Sequence, residues 1–283
     1  MGSSGLSAGR RLEQNCRRLA AAPVFYATEF PRLRLALARA RRSAAYQRPF
    51  TAPRPLVSVC VGTYQRAELL TRRALPSILA QDYRELEVIV VGDACTDDTG
   101  ERIAALGDRR VRWINLPRRG EYPAAPALRH MVAGTATVNR ALAEAQGEFI
   151  THLDDDDEYL PGRIGALVAM AQRERAEFVW HPFWYQDPRA GWVRRDVPRL
   201  RRGAVSTGTT FYHRWWANIP WDAQAYRFRE PGDWHRIAKL RRLGCRMARH
   251  PEPWLRHYTE ELNPGRAASP NPEGPPAGAA GRG

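Results

Sequence analysis

Short apolar runs alternate with longer mixed stretches between Leu56 and Tyr258. Val57 to Val61 and Leu86 to Val91 are strand-length and rich in valine, and each predicts a buried strand. Val111 to Leu116 and Glu148 to Leu153 predict a third and a fourth. Helix-forming stretches lie between them, at Ala67 to Gln81, after Thr96, and at Thr137 to Ala145. Thr96, Asp97 and Asp98 offer capping oxygens to the second of these, and Pro76 predicts a kink in the first. Strand and helix in alternation predict an α/β fold, a mostly parallel sheet built of right-handed βαβ units. Ligands of such open sheets collect at the carboxyl ends of the strands. That rule brings three loops to one edge: Gly62 to Arg66, Gly92 to Cys95, and Asp154 to Asp157.

The same patterning divides the chain. Residues 1–55 are arginine-rich and helix-prone, with Leu33, Leu35, Leu37 and Ala38 set among Arg32, Arg34, Arg39, Arg41 and Arg42. Pro49, Pro53 and Pro55 mark a linker. The apolar positions form no clean helical stripe, so a solvated arm or a helix packed on the main domain is the plain reading. Contact with an anionic membrane is the sharper one. Residues 56–260 form the α/β domain. Residues 261–283 are dominated by Pro, Gly, Ala and Ser; such a segment cannot offset its ordering entropy, and disorder is expected.

The 283 residues, 43% hydrophobic and 26% charged, suffice for a substantial core. No apolar run approaches the roughly 20 residues needed to cross a bilayer. Met1 to Arg10 is Gly/Ser-rich and is followed by arginines rather than an apolar stretch, so a cytoplasmic protein is expected, peripheral at most to the inner membrane face. Net charge is +14, and Lys239 is the only lysine. Arginine forks grip phosphate, lipid head groups and nucleic acid alike, so charge alone selects no partner. No recognised nucleic-acid motif is visible, and no nucleic-acid partner is expected. Cys16, Cys60, Cys95 and Cys245 are scattered without a CxxC pair, which predicts buried reduced thiols.

The acidic run Asp154-Asp155-Asp156-Asp157-Glu158 follows directly on the fourth strand. Carboxylates crowded there repel one another, and a fold tolerates this only with compensating positive charge. Alternation along an extended turn lets Asp154 and Asp156 point the same way, which suits a hard divalent cation, Mg²⁺ or Mn²⁺, bridging to a diphosphate. A solvated turn capping the helix near Pro161 is the plainer alternative. An EF-hand calcium loop does not fit, because Tyr159 stands where that loop needs Gly. The Gly62 to Arg66 loop lacks both GxGxxG and the P-loop lysine, but its hydroxyl and aromatic face suit a ribose or base. Asp93 ends the second strand, where a carboxylate accepts from a base N–H or ribose hydroxyl. Capping is left to Thr96 and Asp97. Aromatic residues are dense from Trp180 to Trp234; they suit a sugar-bearing acceptor, or core packing. Neighbouring Trp215 and Trp216 are expected to face opposite ways in a strand.

Val57-Ser58-Val59-Cys60-Val61-Gly62-Thr63-Tyr64-Gln65-Arg66 resembles the VSVIIPTYNR opening of family 2 glycosyltransferases of the GT-A fold. Glu87 to Thr99 resembles that family's EVIVVDDGSTDDT, and Asn139 to Ile150, running into the acidic cluster, resembles NxGLxxAxGEYIxxLDxDD. The order and spacing of these blocks, across roughly Leu56 to Tyr258, are highly specific. The resemblance implies a Rossmann-like GT-A domain that uses a nucleotide-diphosphate sugar (UDP, GDP or dTDP) and a divalent metal. It also implies inversion at the anomeric carbon.

By position, the resemblance makes Asp156 the metal ligand closing the DxD motif. Asp154 opens the motif, and Asp155 lies near the ribose or phosphates. Asp93 contacts the base, and Thr63, Tyr64 and Arg66 line the nucleotide pocket. Glu230-Pro231-Gly232-Asp233-Trp234 resembles the family's "ED" region, with Asp233 as general base and Glu230 in reserve. His257 falls where relatives carry a histidine near phosphates or metal, and a packed histidine is the alternative. Gly62 replaces a proline, Gly92 an aspartate, Cys95 a serine and Val138 an arginine, and Arg118 to Gly134 is longer than usual. These departures bear on base and phosphate recognition rather than on class. A non-catalytic binding protein of the same fold would need a broken base or metal site, and both look intact. A sugar nucleotidyltransferase would open with a Gly-rich loop that Gly62-Thr63-Tyr64 lacks.

Overall fold

The computed structural model describes residues 28–203 and 205–259. Cys16 and the tail at 261–283 lie outside the described residues. Among the described residues, the helices α1 (Phe30–Ala40) and α2 (Ala44–Gln47) precede the first strand. β1 (Val57–Thr63) and β2 (Leu86–Gly92) are buried along almost their whole length, as their apolar runs require. The chain between them is helical in three pieces: α3 (Ala67–Leu69), a π-turn (Leu70–Ala74) and α4 (Leu75–Leu79). Pro76 lies in the first turn of α4, so the expected kink takes the form of a wide turn just before the ring.

The order continues with α5 (Thr99–Ala105), β3 (Val111–Asn115), α6 (Pro126–Arg129), α7 (Thr135–Glu144) and β4 (Phe149–Asp154). β4, β1, β2 and β3 are neighbours in that order and all parallel. After β5 (Glu158–Tyr159) and α8 (Arg163–Glu174), β6 (Phe178–Trp180) joins the same sheet. β7 (Phe183–Asp187) and β8 (Gly191–Arg195) form a hairpin outside it. β9 (Thr210–His213) inserts antiparallel between β4 and β6; α9 (Gly232–Arg242), β10 (Met247–Arg249) and β11 (Leu255–His257) complete the described chain. The main sheet therefore runs β10-β6-β9-β4-β1-β2-β3, and a small one runs β5-β11-β7-β8. Both share one core, in which Val59, Val61, Val90, Phe149 and Phe211 lose all contact with water.

Leu37 of α1, Tyr46 of α2 and Phe50 belong to this core. The buried Glu177 anchors the same helices: it accepts hydrogen bonds from Arg41 Nε and Nη2 (2.7 and 2.6 Å), from the Tyr46 hydroxyl (2.7 Å) and from the Arg246 amide (3.0 Å). Trp215 and Trp216 are not in a strand. They lie in a 3₁₀ turn, Arg214–Asn218, that begins where His213 Nδ1 accepts from the Trp215 amide. Trp216 is fully buried, and the ring of Trp215 meets it edge-on at 4.9 Å.

Candidate active site

Register places the acidic turn beside the first loop, since Gly62 of β1 pairs with Asp154 of β4. Side chains then bind the two loops together. Thr63 Oγ1 donates to Asp155 Oδ2 at 2.7 Å. Arg66 Nη1 donates to Asp155 Oδ1 at 3.2 Å and to Asp156 Oδ2 at 2.5 Å. Arg73 Nη1 reaches the Asp156 carbonyl at 2.7 Å while its guanidinium lies 3.6 Å over the Tyr258 ring. Asp157 is fully buried and accepts from His257 Nδ1 (3.0 Å) and the Tyr258 amide (3.2 Å), which ties the turn to β11.

Burial and the neighbouring Asp156 push the Asp155 carboxyl up to about 6, against the pull of Thr63 and Arg66. Burial and the charges of Asp157 and Asp156 hold the Asp154 carboxyl well above the usual range. Burial pulls the His257 imidazole down, but its hydrogen bond to Asp157 and the charges of that residue, Asp154 and Asp156 outweigh this and raise it. His257 therefore carries a proton beside the carboxylates. Asp154 accepts no side-chain hydrogen bond from the described residues, and the charge of His257 acts on it without offsetting burial and the neighbouring carboxylates. No cluster of three or more metal-ligating side chains forms among the described residues. A carboxylate pair, Asp154 and Asp156, fits an ion of the magnesium or manganese type, which keeps waters and shares phosphate oxygens instead of demanding a protein cage.

The second loop is tied to the first. Gln65 and Ala94 both take left-handed backbone conformations, at φ 55° and 56°. Gln65 Oε1 accepts from the Thr96 and Asp97 amides (2.9 and 3.2 Å), and its Nε2 donates to Thr96 Oγ1 at 2.8 Å. Thr96 is thereby used by Gln65 and does not cap α5. The N-cap position of α5 is Asp98, which makes no side-chain cap; Asp97 Oδ1 instead accepts from Thr99 Oγ1 (2.5 Å) and, at 3.4 Å, from the Thr99 amide. The unusual glycines have packing reasons: a Cβ on Gly62 would collide with Thr137 Oγ1, and one on Gly92 with the Trp113 ring and Asn115. Asp93 is 4% exposed, and its Oδ1 accepts from the Gly120 amide at 2.7 Å. Arg119 Nε lies 3.7 Å from Asp93 Oδ2, and its guanidinium sits 3.7 Å over the Tyr64 ring.

Asp233 stands in the first turn of α9 and accepts from the Trp234 amide at 2.5 Å. Burial pushes its carboxyl up to about 6. Glu230 is engaged by His235 Nδ1 at 2.8 Å. No hydrogen bond or ion pair among the described residues joins Asp233 to the acidic turn. The structure thus gathers Thr63, Arg66, Asp154, Asp155, Asp156 and His257 at one edge and Tyr64 with Asp93 beside them. Sequence reasoning missed Asp157 as the partner of His257, Arg73 as the support of Asp156, and Arg119. Asp157 was legible only as one member of an acidic run, and the two arginines not at all among so many.

Residues 58–241 match the family model described as "Glycosyl transferase family 2", and the chain belongs to that family. It is 34% identical over 134 residues to WcaA of Escherichia coli strain K12, covering 46% of this chain and 42% of that protein. It is 35% identical over 119 residues to the GalNAc(5)-diNAcBac-PP-undecaprenol beta-1,3-glucosyltransferase of Campylobacter jejuni, covering 41% and 35%. The matched stretches span less than half of these relatives. Among solved structures, S. aureus TarS 1-349 in complex with UDP superposes with a TM-score of 0.57 at 18% identity, over 72% of this chain and 60% of that one. The mannosyltransferase PcManGT from Pyrobaculum calidifontis in complex with GDP-Man and Mn²⁺ does so at 0.53 and 19%, over 81% and 68%. The fold is GT-A.

Proposed function

We propose that the protein transfers a sugar from a nucleotide-diphosphate sugar to an acceptor hydroxyl, with a divalent ion and with inversion at the anomeric carbon. The observation that carries this reading is the acidic turn: a crowd of carboxylates at a strand end, only partly neutralised by Arg66 and His257, so that the Asp154 carboxyl stays raised despite the His257 charge. Asp156 and Asp154 would hold the ion, and Asp155 would face the ribose or phosphates; His257 would join them as a ligand only through Nε2 and only after losing its proton, since Nδ1 is engaged by Asp157. Thr63, Tyr64, Arg66 and Asp93 would line the nucleotide pocket. The ion, when bound, supplies Lewis acidity to the leaving diphosphate.

Asp233 takes the proton of the acceptor hydroxyl. Its carboxyl, raised by burial to about 6, is ionised at neutral pH yet basic enough for the task. Glu230 is less suited, because His235 already holds it. Attack from the face opposite the diphosphate gives inversion. Tyr185 stacks on His257 at 5.7 Å and Trp192 meets Tyr258 edge to face at 4.9 Å, so the small sheet sets aromatic rings beside the turn, suited to a sugar-bearing acceptor. UDP, UDP-GlcNAc and GDP-Man in structural neighbours support a nucleotide-sugar donor, and Mn²⁺ in one supports the ion.

The unit responsible is residues 56–260. No helix of the described residues is long and apolar enough to cross a membrane. We place the protein in the cytoplasm, with the exposed face of α1, Arg32, Leu35 and Arg39, against the anionic inner membrane surface. A thermal-shift screen of UDP-, GDP- and dTDP-sugars with and without Mn²⁺ tests the donor reading. One donor should raise Tm only with the ion, because ligand binding stabilises the native state. No response to any donor would count against it.

A further inference from the structure

The segment from Leu116 to Gly134 takes no part in the reaction proposed above, yet it touches both halves of that site. Near its start, Arg119 covers one face of the Tyr64 ring at 3.7 Å and sets Nε 3.7 Å from Asp93 Oδ2. Gly120 donates its amide to Asp93 Oδ1 at 2.7 Å. Tyr122 backs this turn: a Cβ on Gly120 would fall 2.5 Å from the buried Tyr122 hydroxyl. At the far end, the Met131 carbonyl accepts from the Gly232 amide at 2.8 Å, one residue before Asp233. The ring face and the carboxylate edge that a nucleobase would need are therefore taken by the protein's own guanidinium and amide.

We propose that Arg119 is a built-in occupant of the nucleobase pocket, so that a base enters only as Arg119 leaves Tyr64 and Asp93. The proposal rests on the reading of Tyr64 and Asp93 as the base site. Arg119 is suited to the exchange. Its side chain is 46% exposed and can return to water, while Asp93, buried beneath it, keeps the Gly120 amide on Oδ1 and loses its counter-charge at Oδ2, which favours an arriving N–H donor. A partly exposed cation–π contact and a long ion pair are each weak. Together their loss should cost a nucleotide roughly tenfold in affinity. Arg119 thereby sets affinity through the base and not through the phosphates.

Calorimetric titration of the full chain with UDP, GDP, dTDP and inorganic pyrophosphate, all with Mn²⁺, tests this. Arg119→Ala should bind the preferred nucleoside diphosphate roughly tenfold more tightly, with pyrophosphate affinity unchanged. In a Tyr64→Leu background the same substitution should give no gain. If the wild type binds a nucleotide and Arg119→Ala binds it equally or more weakly, Arg119 is no occupant and this proposal alone falls. If the wild type binds pyrophosphate but no nucleotide, the base-site reading falls and takes the proposal with it.

Discussion

Arg66 and Asp156 form an ion pair, Nη1 to Oδ2 at 2.5 Å, and the same nitrogen lies 3.2 Å from Asp155 Oδ1. One guanidinium is thus counter-ion to two carboxylates of the acidic turn, and a divalent ion would compete with it for the Asp156 oxygen. Removing it should leave the turn less stable without metal and more responsive to metal. Arg66→Ala is expected to lower Tm by about 2–4 °C in the absence of divalent ions, an effect kept small by the exposure of Arg66. Added Mn²⁺ should restore more stability to the variant than to the wild type. Melts with and without Mn²⁺ read both effects; unchanged melting and an unchanged Mn²⁺ response would show the contact to be idle.

Glu177 anchors α1 and α2 through Arg41 and Tyr46. Burial raises its carboxyl, but the hydrogen bonds from Arg41, Tyr46 and Arg246 outweigh burial and hold it below the ordinary value of 4.5. A depressed carboxyl stabilises the fold above that value, and the contribution is lost as pH falls through the lowered one. Glu177→Ala leaves Arg41 with only the Gly244 carbonyl and Tyr46 without its acceptor, and because Arg41 is partly exposed the cost should be about 1–3 kcal/mol. Denaturant unfolding should show that loss at pH 7 and a smaller difference below about pH 4.

Asp233 should shape the pH dependence of turnover. Its raised carboxyl is protonated below about 6, so kcat/KM should rise with pH through that region. The same shift makes ionised Asp233 a burden on the fold: the stability present below the ordinary carboxylate value is lost as pH rises through about 6. Asp233→Asn should therefore abolish turnover, leave nucleotide binding nearly intact, and stabilise the protein at pH 7 by on the order of 1–3 kcal/mol. A variant that is inactive and also unable to bind nucleotide would mean that Asp233 shapes the pocket instead of taking the proton.

The sheet was legible because β1, β2 and β4 are buried along their length, and short, mostly apolar runs ending at glycine or aspartate say so directly. The neighbouring loops followed from topology alone. Other features depend on contacts distant in sequence. Asp157 is set apart from Asp156 by His257, 100 residues on, and by the Tyr258 amide beside it. Thr96 looked like a cap until Gln65, 31 residues earlier, claimed it. Gly62 and Gly92 read as departures from a motif, and Thr137, Trp113 and Asn115 explain them. The 3₁₀ turn at Trp215 and Trp216 depends on His213, a side-chain cap invisible to a search for alternating apolar residues.

The central claim is that the acidic turn holds a divalent ion that holds a diphosphate. The most direct measurement is the affinity of UDP, GDP and dTDP for the wild type and Asp156→Asn, with Mn²⁺ and with a chelator. The account predicts that the wild type binds one of these diphosphates far more tightly with Mn²⁺, and that Asp156→Asn binds it weakly and equally in both conditions. A wild type indifferent to the ion, or an Asp156→Asn variant that keeps the full Mn²⁺ dependence, would contradict it.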